Sequence, residues 1–312
     1  MKKCMLLFLA VFILAFTACE KEIYEPFAED GQEWTDDDRD DDDAGADGGE
    51  EGALTLYRVS GESITKVRDY EIPNRLQAYQ DDEARHREMW DYFIRLIPAE
   101  SRAKIVEFEV IFGDNDLGGY VIPLDENDLS RWKMGLAIDA AGDLSVIDFS
   151  DEFALLVVHE LAHVLTLNDQ QVVVGGDERS CNEFFTGEGC SRSNSYINRF
   201  FDLGWADIYN DHDHDRPEET YDRYPDRFVS EYASTNPGED IAETIAFFIS
   251  EPDRRTGTTL ADQKIQLLYE FPDLVALRDN IRANGEVNGL MQGISLGQLN
   301  AKKRVHHAGH RH

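Results

Sequence analysis

The sequence has few basic residues for its length. Only 30 of its 312 residues are Lys or Arg, against 63 Asp and Glu, which gives a formal net charge of −33 at pH 7. Proteins bind nucleic acids and other anionic surfaces chiefly through clustered Lys and Arg, and a strongly acidic chain is repelled by them. The composition therefore argues against nucleic acid as a partner.

The sequence also lacks a long apolar segment. Its most apolar stretch, residues 6–16, follows two lysines and is too short for a membrane helix, so residues 1–18 are typical of a signal peptide. The motif FTAC at residues 16–19 resembles the cleavage site of bacterial lipoproteins, which implies that Cys19 becomes the lipidated first residue. This resemblance implies a lipid anchor in the outer membrane, with the domain in the periplasm or at the cell surface. An ordinary signal peptide followed by an unrelated cysteine is the alternative.

Cysteine is scarce, with four in the whole chain. Cys4 belongs to the signal peptide and Cys19 to the lipidation motif, so Cys181 and Cys190 remain. An even pair in an oxidising compartment predicts one local disulfide. A metal site needs more ligands than this pair offers nearby.

Acidic residues dominate the segment after the predicted cleavage site. Residues 19–52 contain sixteen acids and two bases, with few apolar residues. This composition predicts a disordered tether that holds the next domain away from the membrane, with weak calcium binding as the alternative. Residues 53–300 are long enough for one folded domain, and residues 301–312 form a basic, His-rich tail.

Histidine and glutamate form one informative motif. Residues 150–168 are strongly apolar and predict a buried helix that contains HELAH at residues 159–163. Because residues four apart share a helix face, His159 and His163 can direct two imidazoles at one metal ion. Glu160 can take the proton of a water held at that ion. Since burying these groups without a purpose is costly, the motif predicts a catalytic zinc site rather than a chance match.

The order of the predicted elements indicates an α+β fold. The residue patterns predict a hairpin over residues 53–72, a helix over 81–97 and strands over 104–112 and 132–138. This order resembles a zincin-like metallopeptidase domain, with a small mixed sheet, the HExxH helix and then a mainly helical C-terminal part. In such enzymes an edge strand beside the metal often pairs with an extended substrate. Residues 132–138 are the expected edge strand.

The third metal ligand must come from beyond this helix. Asp169 lies six residues after His163, as the third ligand does in metzincins. However, Thr166 occupies the position of the metzincin glycine that lets the helix end and the chain turn back. Asp169 is therefore expected to be a polar residue at the end of the helix.

Residues 228–248 contain a better candidate for the third ligand. They predict a helix in which Glu239 and Glu243 lie four apart on one face. Glu239 can bind zinc while Glu243 accepts an N–H from a ligand histidine and fixes its tautomer. The alternative is that Glu239 only favours the positive N-terminal end of this helix.

Two resemblances to known families follow from these motifs. YASTNPGEDIAE, at residues 232–243, resembles the second half-site of lethal-factor-like zinc peptidases, which implies that Tyr232 donates to the oxyanion and Glu239 is the third ligand. Glu243 matches the acid that holds a ligand histidine in gluzincins. The signal, tether, HELAH helix and distant EDIAE helix together resemble the substrate import-associated zinc metallohydrolase lipoproteins. That family is inferred to accompany TonB-dependent outer-membrane importers and their lipoprotein partners, which implies such partners here.

Two other motifs are weaker. The alternating DHDHD of residues 211–215 could bind a second metal, but in an extended chain its aspartates and histidines face opposite ways, so a solvated loop is expected. Residues 293–297 fit the GxSxG motif of serine hydrolases. That motif needs an acid and a histidine after it in the chain, and only the histidines of the tail follow, so a turn is expected.

The sequence as a whole predicts a zinc metallohydrolase with a peptide or protein substrate. The alternative is a non-catalytic, metal-containing surface lipoprotein that serves as a binding accessory of an importer. The chain contains both Glu160 and Tyr232, the proposed base and oxyanion donor, and their presence favours the enzyme.

Overall fold

The structure is a computed structural model that describes residues 52–114, 117–213 and 216–284. The predicted signal peptide, Cys19, the acidic residues of the tether, the motif at residues 293–297 and the His-rich tail lie outside these ranges. The described chain contains both helices and strands, in agreement with the α+β class expected from the sequence.

Five strands of the described chain form one mixed sheet, and two short strands form a separate ladder. In chain order they are β1 (Ala53–Ser60), β2 (Ser63–Asp69), β3 (Ile105–Ile111), β4 (Gly119–Asp125), β5 (Asp128–Ala137), β6 (Val172–Val173) and β7 (Cys190–Ser191). The sheet has the order β2-β1-β3-β5-β4. β3 and β5 run parallel, and the other neighbours run antiparallel.

Eight α-helices accompany the sheet within the described residues. They are α1 (Gln77–Asp81), α2 (Glu83–Leu96), α3 (Glu152–Leu167), α4 (Tyr196–Gly204), α5 (Pro217–Arg223), α6 (Pro237–Ser250), α7 (Leu260–Leu268) and α8 (Pro272–Asn284). α3 packs against β4 and β5 and also against α6. Because α3 is covered by both neighbours, it is apolar around most of its circumference. No helix in these ranges is long and apolar enough to cross a membrane.

The main core lies between the sheet and the α3–α6 pair. It includes Phe108 of β3, Met134 of β5, Phe153 and Val157 of α3 and Ile241 of α6, all of them buried in one apolar cluster. Burial of such a side chain contributes about 1.5–3 kcal/mol. The two helices that carry the HExxH motif and Glu239 are therefore fixed against each other by the largest apolar cluster among the described residues.

Most of the elements predicted before β4 agree with the structure. The predicted hairpin is β1–β2, which turns at Gly61 with φ of +64°. The helix predicted over residues 81–97 is α2, and the strand predicted over 104–112 is β3. The expected edge strand is wrong, because β5 lies between β3 and β4 and is an interior strand. The edge strand beside α3 is β4, which was not predicted from the sequence.

The backbone of β4 turns one row of hydrogen-bonding groups away from the sheet. The Ala137 N–H donates to Gly118 O at 2.8 Å, which shows which opposite residues of β4 and β5 form hydrogen-bonded pairs. Because bonded and non-bonded pairs alternate in an antiparallel ladder, Gly119 and Val121 direct their N–H and C=O groups to the outer side. Pro123 is in the same row, and a proline without an N–H suits an edge strand. No strand of the described chain pairs with this side.

A side chain also attaches β4 to the sheet. The ring of Tyr120 crosses Gly135 of β5, and its hydroxyl donates to Glu109 of β3. Tyr70 and Lys133 also donate to this buried carboxylate, at 2.6 and 3.2 Å. A Cβ at position 135 would lie 2.2 Å from Cε1 of Tyr120. The crossing therefore requires glycine at this position.

We expect Gly135→Ala to lower the free energy of unfolding by about 1–3 kcal/mol, because the added methyl group must displace the buried Tyr120 ring. Urea denaturation would measure this loss. In a Tyr120→Ala background the ring is absent, so the same change at Gly135 is expected to cost little. An equal cost in the two backgrounds would contradict the role assigned to Gly135.

Candidate metal centre

The helix α3 presents the HExxH residues. The Asp151 side chain caps its start by accepting from the Phe153 N–H at 3.0 Å. At its other end the Thr166 hydroxyl donates to Ala162 O at 2.8 Å, so the helix continues through this position to Leu167. His159, Glu160 and His163 are all buried, as expected of residues on a helix packed between a sheet and a second helix.

The helix α6 brings two glutamates to the same place. Asn236 caps α6, and its Oδ1 accepts from the Glu239 N–H at 2.9 Å. Glu239 therefore lies in the first turn of the helix, and Glu243 follows one turn later on the same face. The sequence interpretation of Glu239 as a residue that only favours the helix N-terminus is insufficient, because its carboxylate reaches both histidines.

Three ligand atoms from the two helices converge. His159 Nε2 lies 3.1 Å from His163 Nε2 and 3.1 Å from Glu239 Oε2. His163 Nε2 lies 3.5 Å from the same oxygen. Two atoms bound tetrahedrally at about 2.0–2.1 Å to one ion are separated by about 3.3–3.4 Å. The triangle therefore fits the ligand set of one metal ion, and no other such group occurs among the described residues.

The second nitrogen of His159 is held by a hydrogen-bonded chain. Its Nδ1 lies 3.0 Å from Glu243 Oε1, so Nδ1 carries the proton and Nε2 is left to bind a metal. The other oxygen of Glu243 accepts from the Ser230 hydroxyl at 2.7 Å. Ser230 in turn accepts from the Ala233 N–H at 3.0 Å. The chain therefore joins His159 to the turn that carries Tyr232.

The electrostatics of this group favour a cation. Burial by itself lowers the pKa of His159, but the carboxylates of Glu239 and Glu243 outweigh it and raise that pKa well above its ordinary value. The same negative field would attract a metal ion in place of a proton.

Tyr232 lies beside the ligands as a neutral hydrogen-bond donor. Its ring centroid is 5.9 Å from that of His159. Burial, the charges of Glu239 and Glu160 and a hydrogen bond to Glu239 raise the pKa of Tyr232 well above its ordinary value. The phenol therefore keeps its proton near neutral pH and can donate it to a developing negative charge.

Glu160 occupies the space between α3 and the edge strand. Its side chain is fully buried, and its Cγ would lie 3.1 Å from a Cβ built on Gly119 of β4. The first residue of the outer row on β4 is thus next to the candidate base. A larger residue at this position would crowd Glu160.

Asp169 is not part of the metal centre. Its carboxylate pairs with Lys104 and its side chain is 47 % exposed. The continuation of α3 through Thr166 carries Asp169 away from the two histidines, as the absence of a glycine there predicts.

The loop between α3 and α6 differs in part from the sequence expectation. Cys181 and Cys190 form the expected disulfide. His212 was expected in a solvated loop, but it contacts the Trp205 ring and lies within hydrogen-bonding distance of Thr220 Oγ1 and Thr235 O. These contacts give His212 a packing role, and residues 214–215 lie outside the described ranges.

Two residues of the site, Ser230 and Gly119, were not predicted from the sequence. Ser230 stands two positions before Tyr232, where nothing in the sequence distinguishes it from any serine in a turn. A strand signal for residues 119–125 was present, since GYVIPLD is apolar and β-branched and leads into the polar Glu126-Asn127 turn. That signal could have located Gly119 at the start of the edge strand.

Comparison with known proteins does not identify a family, since no family model, no curated protein and no solved structure matches the chain. What the site can do is inferred from its own residues. They can hold one metal ion between His159, His163 and Glu239, with a carboxylate and a phenol beside it.

We expect one divalent ion per chain, with Glu239 required for binding. Glu239→Gln removes the charged oxygen from the triangle and should lower the affinity for Zn²⁺ or Co²⁺ by more than about 100-fold, beyond the loss typical of residues outside the ligand set. Asp169→Asn makes the same chemical change at the rejected position and should have no effect. Competition titration against a chromophoric chelator measures both. A similar loss in Asp169→Asn would contradict this ligand assignment.

Proposed function

We propose that this protein is a zinc-dependent hydrolase of the gluzincin type that cleaves a peptide bond. The observation that carries the proposal is the convergence of His159, His163 and Glu239 beside Glu160 and Tyr232. Two imidazoles and one carboxylate are a ligand set used by catalytic zinc, which keeps a fourth position for water or substrate. A mixed sheet next to the HExxH helix, with β4 as its free edge, supports a zincin-like fold.

His159, His163 and Glu239 would hold Zn²⁺, which when bound would supply a water of lowered pKa and a Lewis acid for a substrate carbonyl. In the proposed reaction Glu160 accepts the proton of the attacking water and passes it to the leaving amine. Tyr232 donates its phenolic proton in a hydrogen bond to the carbonyl oxygen as negative charge develops there. Glu243 keeps the Nδ1 proton of His159 in place, so that Nε2 remains a ligand.

The edge strand supports a peptide as the substrate. Gly119 and Val121 offer outward N–H and C=O groups, which an extended peptide can pair with as an added strand. Because Gly119 lies against Glu160, such a peptide would run past the candidate base. A small ester or amide would make no use of this row.

The cellular setting proposed here rests on residues 1–52, which precede strand β1. A lipidated Cys19 and the acidic tether would keep the enzyme at the outer membrane beside a TonB-dependent importer, as in the lipoprotein family that the sequence resembles. Peptides released there would be available for import.

Cleavage of a peptide library by the zinc-loaded chain tests the proposal. Glu160→Gln should retain zinc and lower kcat/KM by about 10²–10⁴, the contribution of a general base. Tyr232→Phe should lower kcat by about 10²–10³ with KM little changed, because the lost hydrogen bond acts on the developing charge.

Glu231→Gln is the matched control, since it makes the same change as Glu160→Gln on an exposed residue next to Tyr232. Its activity should equal that of the wild type. Zinc binding without cleavage of any peptide would favour the non-catalytic accessory of an importer, and full activity in Glu160→Gln would overturn the proposed role of Glu160.

A further inference from the structure

A buried lysine lies behind the metal centre. Lys264 of α7 and Asp240 of α6 form an ion pair in which both side chains have no exposed surface. The ammonium group also donates to Arg227 O at 2.9 Å. Its Nζ lies 4.5, 5.2 and 5.9 Å from the ring centroids of three aromatic residues, namely Phe228, Phe200 and Trp205. The lysine thus makes its polar contacts inside an aromatic enclosure.

Asp240 connects this lysine to the first turn of α6. It is the residue after the ligand Glu239, and successive residues of a helix point about 100° apart. While Glu239 reaches the histidines, Asp240 accepts from Trp205 Nε1 at 2.7 Å and from the Thr244 hydroxyl at 3.3 Å, in addition to Lys264. The helix turn that carries the third ligand is therefore attached to neighbouring elements by the residue beside it.

The Arg227 carbonyl connects the same lysine to the rest of the site. Three residues after Arg227 comes Ser230, which holds Glu243, and two residues later comes Tyr232. The Arg227 side chain is fixed as well, by Gly204 O at 2.8 Å and Asp207. The Lys264 ammonium group thus contacts both the first turn of α6 and the segment of residues 227–232, and each of these carries residues that lie next to the histidines of α3.

Space for the lysine is made by a glycine at the end of α4. A Cβ on Gly204 would lie 2.2 Å from Cε of Lys264. The enclosure therefore has room for the Lys264 side chain because residue 204 has no Cβ.

Fully buried ion pairs are a poor source of stability, because removing two charges from water offsets most of their attraction. An apolar pair of the same size would fill this space at least as well. An apolar pair, however, could not hydrogen-bond to a backbone carbonyl. Lys264 donates both to Asp240 on α6 and to Arg227 O, and so links these two segments.

We propose that Lys264 is a positioning residue, which through Asp240 and Arg227 O sets the place of Glu239 relative to Ser230 and Tyr232. The inference rests on the proposed zinc site and adds to it a residue on a third helix, outside the proposed ligand set. Loss of the lysine should loosen the first turn of α6 and weaken metal binding, although every ligand is retained.

The test uses the full chain and two double variants. Lys264→Met alone leaves Asp240 buried without its cation, so the double variant Asp240→Asn/Lys264→Met, which removes both charges, guards against loss of folding. The matched control is Glu109→Gln/Lys133→Met, which neutralises the buried pair between β3 and β5, with side chains 0 % and 9 % exposed. Circular dichroism checks that each variant is folded.

Two measurements separate positioning from general destabilisation. The zinc dissociation constant from chelator competition should rise about tenfold or more in Asp240→Asn/Lys264→Met and stay unchanged in the control, by analogy with residues that orient metal ligands. Amide hydrogen exchange in the metal-free protein should speed up over residues 228–243 in the first double variant and not in the control.

Wild-type zinc affinity and wild-type exchange over residues 228–243 in the Lys264 double variant would overturn the inference. Equal weakening of zinc binding in both double variants would overturn it too, because the effect would then follow stability alone. If the wild type binds no zinc, the proposed function fails, and the exchange measurement on the metal-free chain still decides the role of Lys264.

Discussion

The structure depends on keeping acidic and imidazole groups together inside an apolar core. Glu160, Glu239, His159 and His163 are each at most 3 % exposed, and polar groups at such depth are costly unless they are paired. Their pairing requires α3 and α6 to lie at one distance and in one rotation, since a shift of either helix would separate the Nε2 and Oε2 atoms. The apolar cluster between the sheet and these two helices supplies that fixed distance.

Both ends of α6 are held by groups from other parts of the chain, which suits a helix that carries a ligand in its first turn. At the start, Asn236 caps the Glu239 N–H and the Asp240 carboxylate is tied to Lys264 and Trp205. At the end, Arg278 and Arg282 of α8 donate to the last carbonyls, with Arg278 Nε 2.7 Å from Phe248 O. Cations at a helix C-terminus also oppose its negative dipole end. Fraying is therefore opposed at both ends, and at the first turn this holds Glu239 in place.

Local periodicity explains what could be predicted from the sequence. Two pairs of site residues lie four apart on apolar helices, namely His159 with His163 and Glu239 with Glu243. Each pair was therefore evident from the sequence without knowledge of the tertiary fold. That the pairs face each other depends on α3 and α6 packing together. The sequence suggested it through the ligand role assigned to Glu239, and the resemblance to known half-sites supported that role. Strand order is not local: β5 was taken for the edge because its parallel partner β3 and antiparallel partner β4 cannot be read from its own residues. Lys264 had no signal at all, since its partners lie 24 and 37 residues away in sequence.

The charge around His159, His163 and Glu239 favours a bound cation, in addition to the fit of distances. Burial is the largest cause of the raised pKa of Tyr232, and the three carboxylates of Glu160, Glu239 and Glu243 raise it further. A divalent cation would offset two of these negative charges where burial makes them most costly. Its positive charge would also oppose the part of the rise in the pKa of Tyr232 that these carboxylates cause. The carboxylates that would attract a cation to His159, His163 and Glu239 are therefore the same groups that help keep Tyr232 protonated.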